Sequence, residues 1–286
     1  MKKIFLIAAG LFFLLGCILV YQNITYSDKK LHVVICDVGQ GDAIFIRTPN
    51  GSDILIDGGP DSKILSCLAK HMPFWDRTIE IMIATHPHAD HIAGLIDVIK
   101  RYKVIGFYSE KMESSAATYK ELIKALAKRN IKEHFLWQGD NFLFEEGLKL
   151  QTLWPTYEWI DQNPSGEANL DINGFSVIGL LTYGNFKVLF TGDAQASIID
   201  KIDLMAGRVS LLKVPHHGSK TGLTQEILGI LSPRIATISV GEKNRYGHPD
   251  PFTLDLLNQL EIKTLRTDQA GDIEIISDGN SFLIKN

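Results

Sequence analysis

The stretch Thr85-His86-Pro87-His88-Ala89-Asp90-His91 restricts this chain more than any other feature. It stands where an apolar, strand-like run (Ile79–Ala84) ends and an amphipathic, helix-like run (Ile92–Tyr102) begins. Residues two apart on an extended chain face the same side, so His86 and His88 are placed to share one ion. Where the chain turns into the helix, Asp90 and His91 swing toward a neighbouring point and are placed to hold a second. Imidazole with carboxylate suits zinc, manganese or iron. The competing reading is a polar loop whose Asp90 only caps the helix. Three histidines and an aspartate within six residues argue against it.

Two later segments extend the pattern. Thr191-Gly192-Asp193 follows the strand-like run Lys187–Phe190. Asp193 could bridge two ions there, with Gly192 allowing close backbone approach. Pro215-His216-His217-Gly218-Ser219 follows a strand-like run ending at Val214. Adjacent side chains on an extended chain point opposite ways, so only one of His216 and His217 is expected to ligate a given ion.

The elements between these segments alternate. Strand-like runs Leu31–Asp37, Ala43–Thr48 and Ile54–Asp57 are separated by Gly39-Gln40-Gly41 and Pro49-Asn50-Gly51, a hairpin pattern. Helix and strand patterns then alternate to the end, with helices expected near 62–70, 92–102 and 116–129, and from Thr224 and Phe252. A meander followed by mixed α/β structure predicts two sheets inside and helices outside, in one domain spanning 31–286. A hydrophobic fraction of 45% and 22% charged residues suit a globular chain, and the net charge of −4 supplies no global positive field for nucleic acid. Cys17, Cys36 and Cys67 are too few for a disulfide framework, and Cys36 and Cys67 in apolar runs read as buried free thiols.

The first twenty residues are a separate unit. Lys2 and Lys3 precede a continuous apolar run, Ile4 to Leu15, with the shape of a secretory signal. Leu14-Leu15-Gly16-Cys17 resembles a bacterial lipobox, which would make Cys17 the lipidated first residue of the mature protein. An uncleaved helix to about Val20 is the alternative. Either outcome anchors the chain to the cell membrane, through 21–30 as a linker, with the remainder extracytoplasmic.

In this order the fragments resemble the metallo-β-lactamase superfamily, and within it the extracellular hydrolase domain of ComEC-type DNA-uptake proteins. The matching pieces are Asp37–Asp42, Leu55–Gly59, His86–His91, Asn173 with Ser176, Leu189–Asp193, Leu212–Ser219, Ser239–Gly241, Asn244 and Tyr246–Pro249. The resemblance implies a four-layer αβ/βα sandwich of the α/β class, with two divalent metal ions, zinc or manganese, at one edge. It adds Asp57 as a residue steadying the metal loop. Many members carry another histidine between the cluster and the bridging aspartate; here that interval holds only His134, and the resemblance offers Asn173 instead. Such a site would bind metal less tightly.

The implied chemistry is hydrolysis: a hydroxide held between two ions about 3.5–4 Å apart is a strong nucleophile at neutral pH. The candidate catalytic residues are Asp90, Asp193 and His248; the candidate metal ligands are His86, His88, Asp90, His91, Asp193, His216 and His217. Lys213, Lys220, Lys243 and Arg245 form a modest basic cluster, in which Lys220 and Arg245, with Ser219, are candidates to meet substrate. The leading expectation is an extracytoplasmic phosphodiesterase, with DNA among its candidate substrates. The alternatives are hydrolysis of phosphorylcholine or other esters on cell-wall polymers, and a metal-stabilised, non-catalytic binding lipoprotein. Nothing in the sequence points to a protein partner.

Overall fold

The computed structural model describes residues 2–144, 147–164, 171–202 and 207–285. A long helix, α1 (Lys2–Tyr26), precedes the folded domain and runs through Cys17 into the segment read as a linker. β1 (Leu31–Ile35), β2 (Ile44–Arg47) and β3 (Asp53–Ile56) then form an antiparallel meander, as the glycine-bearing turns predict. α2 (Ile64–His71) crosses to β4 (Thr78–Ala84), α3 (Ala89–Arg101) to β5 (Lys103–Ser109), and α4 (Ala117–Lys128) to β6 (Glu133–Phe135). Each of these strands lies parallel to the one before.

The second half repeats the plan. β7 (Asn141–Leu143), β8 (Lys149–Trp154), β9 (Ile178–Tyr183) and β10 (Phe186–Phe190) are antiparallel, with the short helix α5 (Tyr157–Gln162) between β8 and β9. α6 (Ala196–Ile199), β11 (Leu211–Lys213), α7 (Gln225–Leu231), β12 (Ile235–Ile238), α8 (Pro251–Gln259) and β13 (Lys263–Arg266) follow, the strands parallel to β10. α9 (Thr267–Ala270) leads back to the first sheet, where β14 (Ile273–Ser277) pairs with β1 and β15 (Phe282–Lys285) with β14. The sheet orders are β15-β14-β1-β2-β3-β4-β5-β6 and β13-β12-β11-β10-β9-β8-β7.

The period-two alternation of the strands divides the core into three. Leu31, Val33 and Ile35 of β1 meet Leu181, Val188 and Leu211 of the other sheet between the layers. Val34 and Phe45 face outward against Leu68, Leu95 and Ile99 of α2 and α3. Leu189, Leu212 and Ala236 pack outward against Ile199, Ile227 and Leu257. The result is the expected four-layer αβ/βα sandwich.

The two buried cysteines correct the sequence reading: Cys36 and Cys67 are joined in a disulfide, Cα atoms 5.9 Å apart, rather than lying as free thiols. Cys36 follows β1 on the face that α2 crosses, so the fold brings together two residues that are 31 apart in sequence. Cys17 is free and exposed.

Candidate metal centre

The functional side chains leave the ends of five strands at one edge of the sandwich. Asp57 follows β3, residues 85–91 follow β4, Asp193 follows β10, His216 and His217 follow β11, and Ser239 follows β12. In a parallel sheet these ends lie side by side, so loops distant in sequence converge.

α3 begins at Ala89, three residues earlier than the apolar pattern suggests, and His88 is its N-cap residue without a side-chain cap bond. Asp90 and His91 therefore lie in its first turn and are not cap residues. His91 is fully buried and pairs through Nδ1 with Asp57 Oδ2 at 2.7 Å. The second Asp57 oxygen accepts Thr85 N–H at 2.8 Å, and Thr85 Oγ1 also donates to Asp57 at 2.7 Å. Asp57 thus steadies the start of the histidine loop.

Asp193 is the hub. Its Oδ2 lies 3.3 Å from His91 Nε2, 3.6 Å from His217 Nε2, 3.8 Å from His216 Nε2 and 3.9 Å from His86 Nε2. Asp90 Oδ2 lies 3.4 Å from His217 Nε2, and His86 Nε2 is 3.0 Å from His88 Nδ1. Four groups of donor atoms at this edge fall within 4.8 Å of one another: His86, His91 and Asp193; Asp90, His91 and His217; Asp42, Asp57 and His91; and Asp42, Asp193 and His217. His88 and His216 stand outside these groups, His88 against His86 and His216 facing Asp193. Gly192 (φ +50) makes the approach possible, since a Cβ there would sit 3.0 Å from Ser176 Cβ.

The expectation that His216 and His217 diverge is not met. Neither is extended; they take φ of +49 and +54, the left-handed region that non-glycine residues rarely enter. This turn directs both rings toward Asp193. His217 Nδ1 is 3.0 Å from Ser239 O, which leaves Nε2 for the hub.

Lys213 also departs from its expected place. It is wholly buried, its Nζ bonded to Asp42 Oδ2, and so contributes nothing to a basic surface. Asp42 in turn lies 3.4 Å from His217 Nδ1. Burial alone would raise the Asp42 carboxyl, but Lys213 and His217 hold it well below the usual carboxylate range. Asp193 is likewise held down by His217 and His91 against the effect of burial. The same carboxylates raise the histidines. Burial opposes charge on His91, but Asp193 and Asp57 carry it well above the ordinary value, and Asp193, Asp42 and Asp90 push His217 up to about 10. His86 goes the other way, lowered by burial and by charge on His91.

Among the described residues, several buried polar atoms at the hub lack hydrogen-bond partners: Asp193 Oδ1, His91 Nε2, His217 Nε2, His216 Nδ1 and Asp42 Oδ1. An unsatisfied buried group costs about 1–3 kcal/mol, so a cluster of them beside these ion pairs favours a ligand that would satisfy them. The donors are imidazole and carboxylate, and they fit a divalent cation.

A cleft of about 280 Å³ opens onto the hub, lined in part by His88, Asp90, His216 and His248. Gln40 and Tyr246 line it as well, two residues that sequence reasoning passed over although both lie within matched motifs. Gln40 is held in place by accepting Gly241 N–H, and the adjacent Gly41 lies so close to α3 that a Cβ would meet Asp90 O at 2.2 Å. The other candidates fall further out. Ser219 bonds to Thr221, Lys220 is exposed, and Arg245 reaches the cleft only by stacking on Tyr246, 5.3 Å from its ring centre. Asn173 sits in a single 3-10 turn, Ile172–Phe175, beside Ser176, whose Oγ is 3.4 Å from His86 Nδ1. His134 lies on β6 against Tyr108 and takes no part.

Comparison with known proteins agrees with this geometry. A model of the metallo-beta-lactamase superfamily matches residues 36–242. ComE operon protein 3 of Bacillus subtilis is 27% identical over 261 residues, covering 85% of this chain and 32% of its own length. Recombination protein 2 of Haemophilus influenzae is 28% identical over 270 residues, covering 93% of this chain and 31% of its own. The chain thus spans about a third of the length of the curated relatives it matches. The solved structure of Zn(2+)-bound PqqB from Methylobacterium extorquens superposes with a TM-score of 0.54 at 12% identity, over 82% of this chain and 97% of that one.

Proposed function

Because the chain belongs to the metallo-β-lactamase superfamily, whose fold generally binds one or two divalent metals, we propose that this metallo-hydrolase is an extracytoplasmic phosphodiesterase. The observation that carries this reading is the convergence of four imidazole nitrogens on Asp193 Oδ2 within 3.3–3.9 Å. In this reading His86, His88 and His216 would hold one ion, Asp90, His91 and His217 the other, and Asp193 would bridge them. Two such ions, when bound, supply Lewis acidity and lower the pKa of bound water toward neutrality.

The protein's own part is orientation. Asp57 keeps one His91 proton on Nδ1, and Ser239 O keeps one His217 proton on Nδ1, so a bound cation would replace the second proton of each ring at Nε2, which faces the hub. His248 and Tyr246 stand at the cleft, where a bound diester would meet them; in this reading His248 contacts the substrate. The relatives support a nucleic-acid or other phosphodiester substrate. The Cys36–Cys67 disulfide supports a compartment outside the cytoplasm, as does α1, whose residues Lys2–Gln22 are long and apolar enough to cross a membrane.

The test is an assay of the full chain in detergent with single- and double-stranded DNA and bis-p-nitrophenyl phosphate, with added manganese or zinc, beside Asp90→Ala. Metal-dependent cleavage of DNA that the variant loses supports the nuclease form of the proposal. Turnover of the small diester alone points to a wall or nucleotide phosphodiester. Metal bound without turnover of any phosphodiester overturns the proposal.

A further inference from the structure

Two hydrogen bonds tie the foot of α1 to the domain. Gln22 Oε1 accepts the Phe74 N–H at 3.2 Å, and Tyr26 Oη donates to Lys70 O at 2.7 Å. The loop so engaged, between α2 and β4, presents Phe74 and Trp75 to solvent at 48% and 47% exposure. Their rings meet edge to face with centres 5.0 Å apart. Met72 and Pro73 beside them are buried, so the pair projects from a firm base.

Two exposed aromatic rings side by side are unfavourable in water. At a membrane surface they are favoured, because an indole has an apolar body and a polar N–H that match the headgroup level. The stretch of α1 long and apolar enough to cross a membrane ends at Gln22, which in the anchored reading would mark the level of the bilayer surface, and Phe74 is hydrogen-bonded to that residue. Lys70 and Arg77 flank the pair and are exposed, Lys70 paired with Asp272 at 3.0 Å and Arg77 donating to the Tyr102 hydroxyl at 2.9 Å, so the aromatic rings rather than free cations carry the contact. The intervening Asp76 turns inward to Arg47 at 3.3 Å.

We propose that Phe74 and Trp75 enter the lipid headgroup layer beside α1, as a second membrane contact that fixes the orientation of the domain. The proposal rests on the reading of α1 as a membrane anchor. Lipidation at Cys17 would keep the same loop near the surface, since Gln22 follows five residues later. The orientation has a consequence for the metal edge. β4 starts directly above this loop at Thr78 and ends at Ala84, next to the histidine cluster. At about 3.3 Å per residue the strand spans roughly 20 Å, so the metal centre lies at the far end of β4 from the loop that would touch the bilayer.

The full chain, reconstituted in phosphatidylglycerol–phosphatidylethanolamine vesicles, tests this by fluorescence quenching with lipids brominated at shallow or deep acyl positions. Retention of the protein through alkaline carbonate washing reports the anchor separately. The chain has four tryptophans, so the reading is the difference between wild type and Trp75→Phe. The expected result is shallow-lipid quenching of part of the emission, at least twofold stronger than deep-lipid quenching, and absent from Trp75→Phe. Equal quenching of wild type and variant, in protein that carbonate does not extract, overturns the second contact while leaving the anchor intact. Protein washed off by carbonate overturns the anchor, and this proposal with it.

Discussion

His91 gives Nδ1 to Asp57 at 2.7 Å and turns Nε2 to Asp193 at 3.3 Å, so one ring links a supporting carboxylate to the hub of the site. The first interaction decides what the second nitrogen can do. Asp57→Asn keeps the size of the side chain but loses the charge that holds the proton on Nδ1. Metal affinity should fall about 10- to 100-fold, as for other supporting residues of this kind. Competition with a chromophoric chelator measures it, and an unchanged affinity would remove Asp57 from this role.

His88→Ala should reduce metal-dependent diester hydrolysis to background while leaving the circular dichroism spectrum intact. His88 is half-buried at the cleft, and among the described residues its side-chain hydrogen-bond contact is with His86, while its carbonyl, which an alanine keeps, accepts from His91 and Ile92, so the core does not depend on the ring. Activity within a few-fold of wild type would mean that the first ion is held elsewhere.

The Lys213–Asp42 pair is fully buried, and breaking it leaves one charge without its partner. Lys213→Met should destabilise the fold by roughly 3–5 kcal/mol. Asp42→Asn together with Lys213→Met should recover part of that loss. Thermal denaturation of the single and double variants reads both effects, and a wild-type Tm for Lys213→Met would show that the pair contributes little to the fold.

The Cys36–Cys67 bridge closes a loop of 31 residues, for which chain-entropy arguments give about 3–4 kcal/mol. Replacing both cysteines with serine should lower the denaturant midpoint accordingly, and adding a reductant to wild type should lower it in the same direction. A midpoint that ignores both treatments would mean that the thiols are not joined.

Stability should fall on both sides of a window near pH 5–6, because of one pair. Burial alone would raise the Glu274 carboxyl, but His32 and Lys285 hydrogen bonds and the charge of His71 hold it at about 2 against an ordinary 4.5. A depressed carboxyl stabilises above its unfolded value, so its contribution is lost as pH falls from about 4.5 toward 2. His32 runs the opposite way. Burial opposes its charge, but Glu274 and Asp28 raise it above the ordinary 6.5. Its contribution is complete below 6.5 and is lost as pH rises through the elevated value. Glu274→Gln should flatten both arms in urea denaturation measured from pH 3 to 8; unchanged slopes would discount the pair.

What the sequence disclosed depended on how local the information was. That His86, His91 and Asp193 come together was legible because ligand-type side chains at the ends of apolar runs are chemically unusual within a few residues. The four-layer fold was legible because alternation and glycine turns are local too, whereas β6 and β7, with three residues each, are too short to show a period. The failures were all long-range or conformational. Cys36 meets Cys67 only because α2 crosses β1, and Lys213 is buried because Asp42, 171 residues away, faces it. The turn at His216 and His217 requires two left-handed residues that no side-chain pattern announces.

The division of the centre between the two sheets carries a mechanical consequence. His86, His91 and Asp57 ride on the first sheet, and Asp193 and His217 on the second. An ion held by both sets would therefore be a rivet through the sandwich as much as a reagent. Its binding energy would add to the cohesion of the halves by mass action. Chelation would then loosen the joint between the sheets before it disturbs either sheet alone, and the cleft, which exists only where the two meet, would lose its shape first.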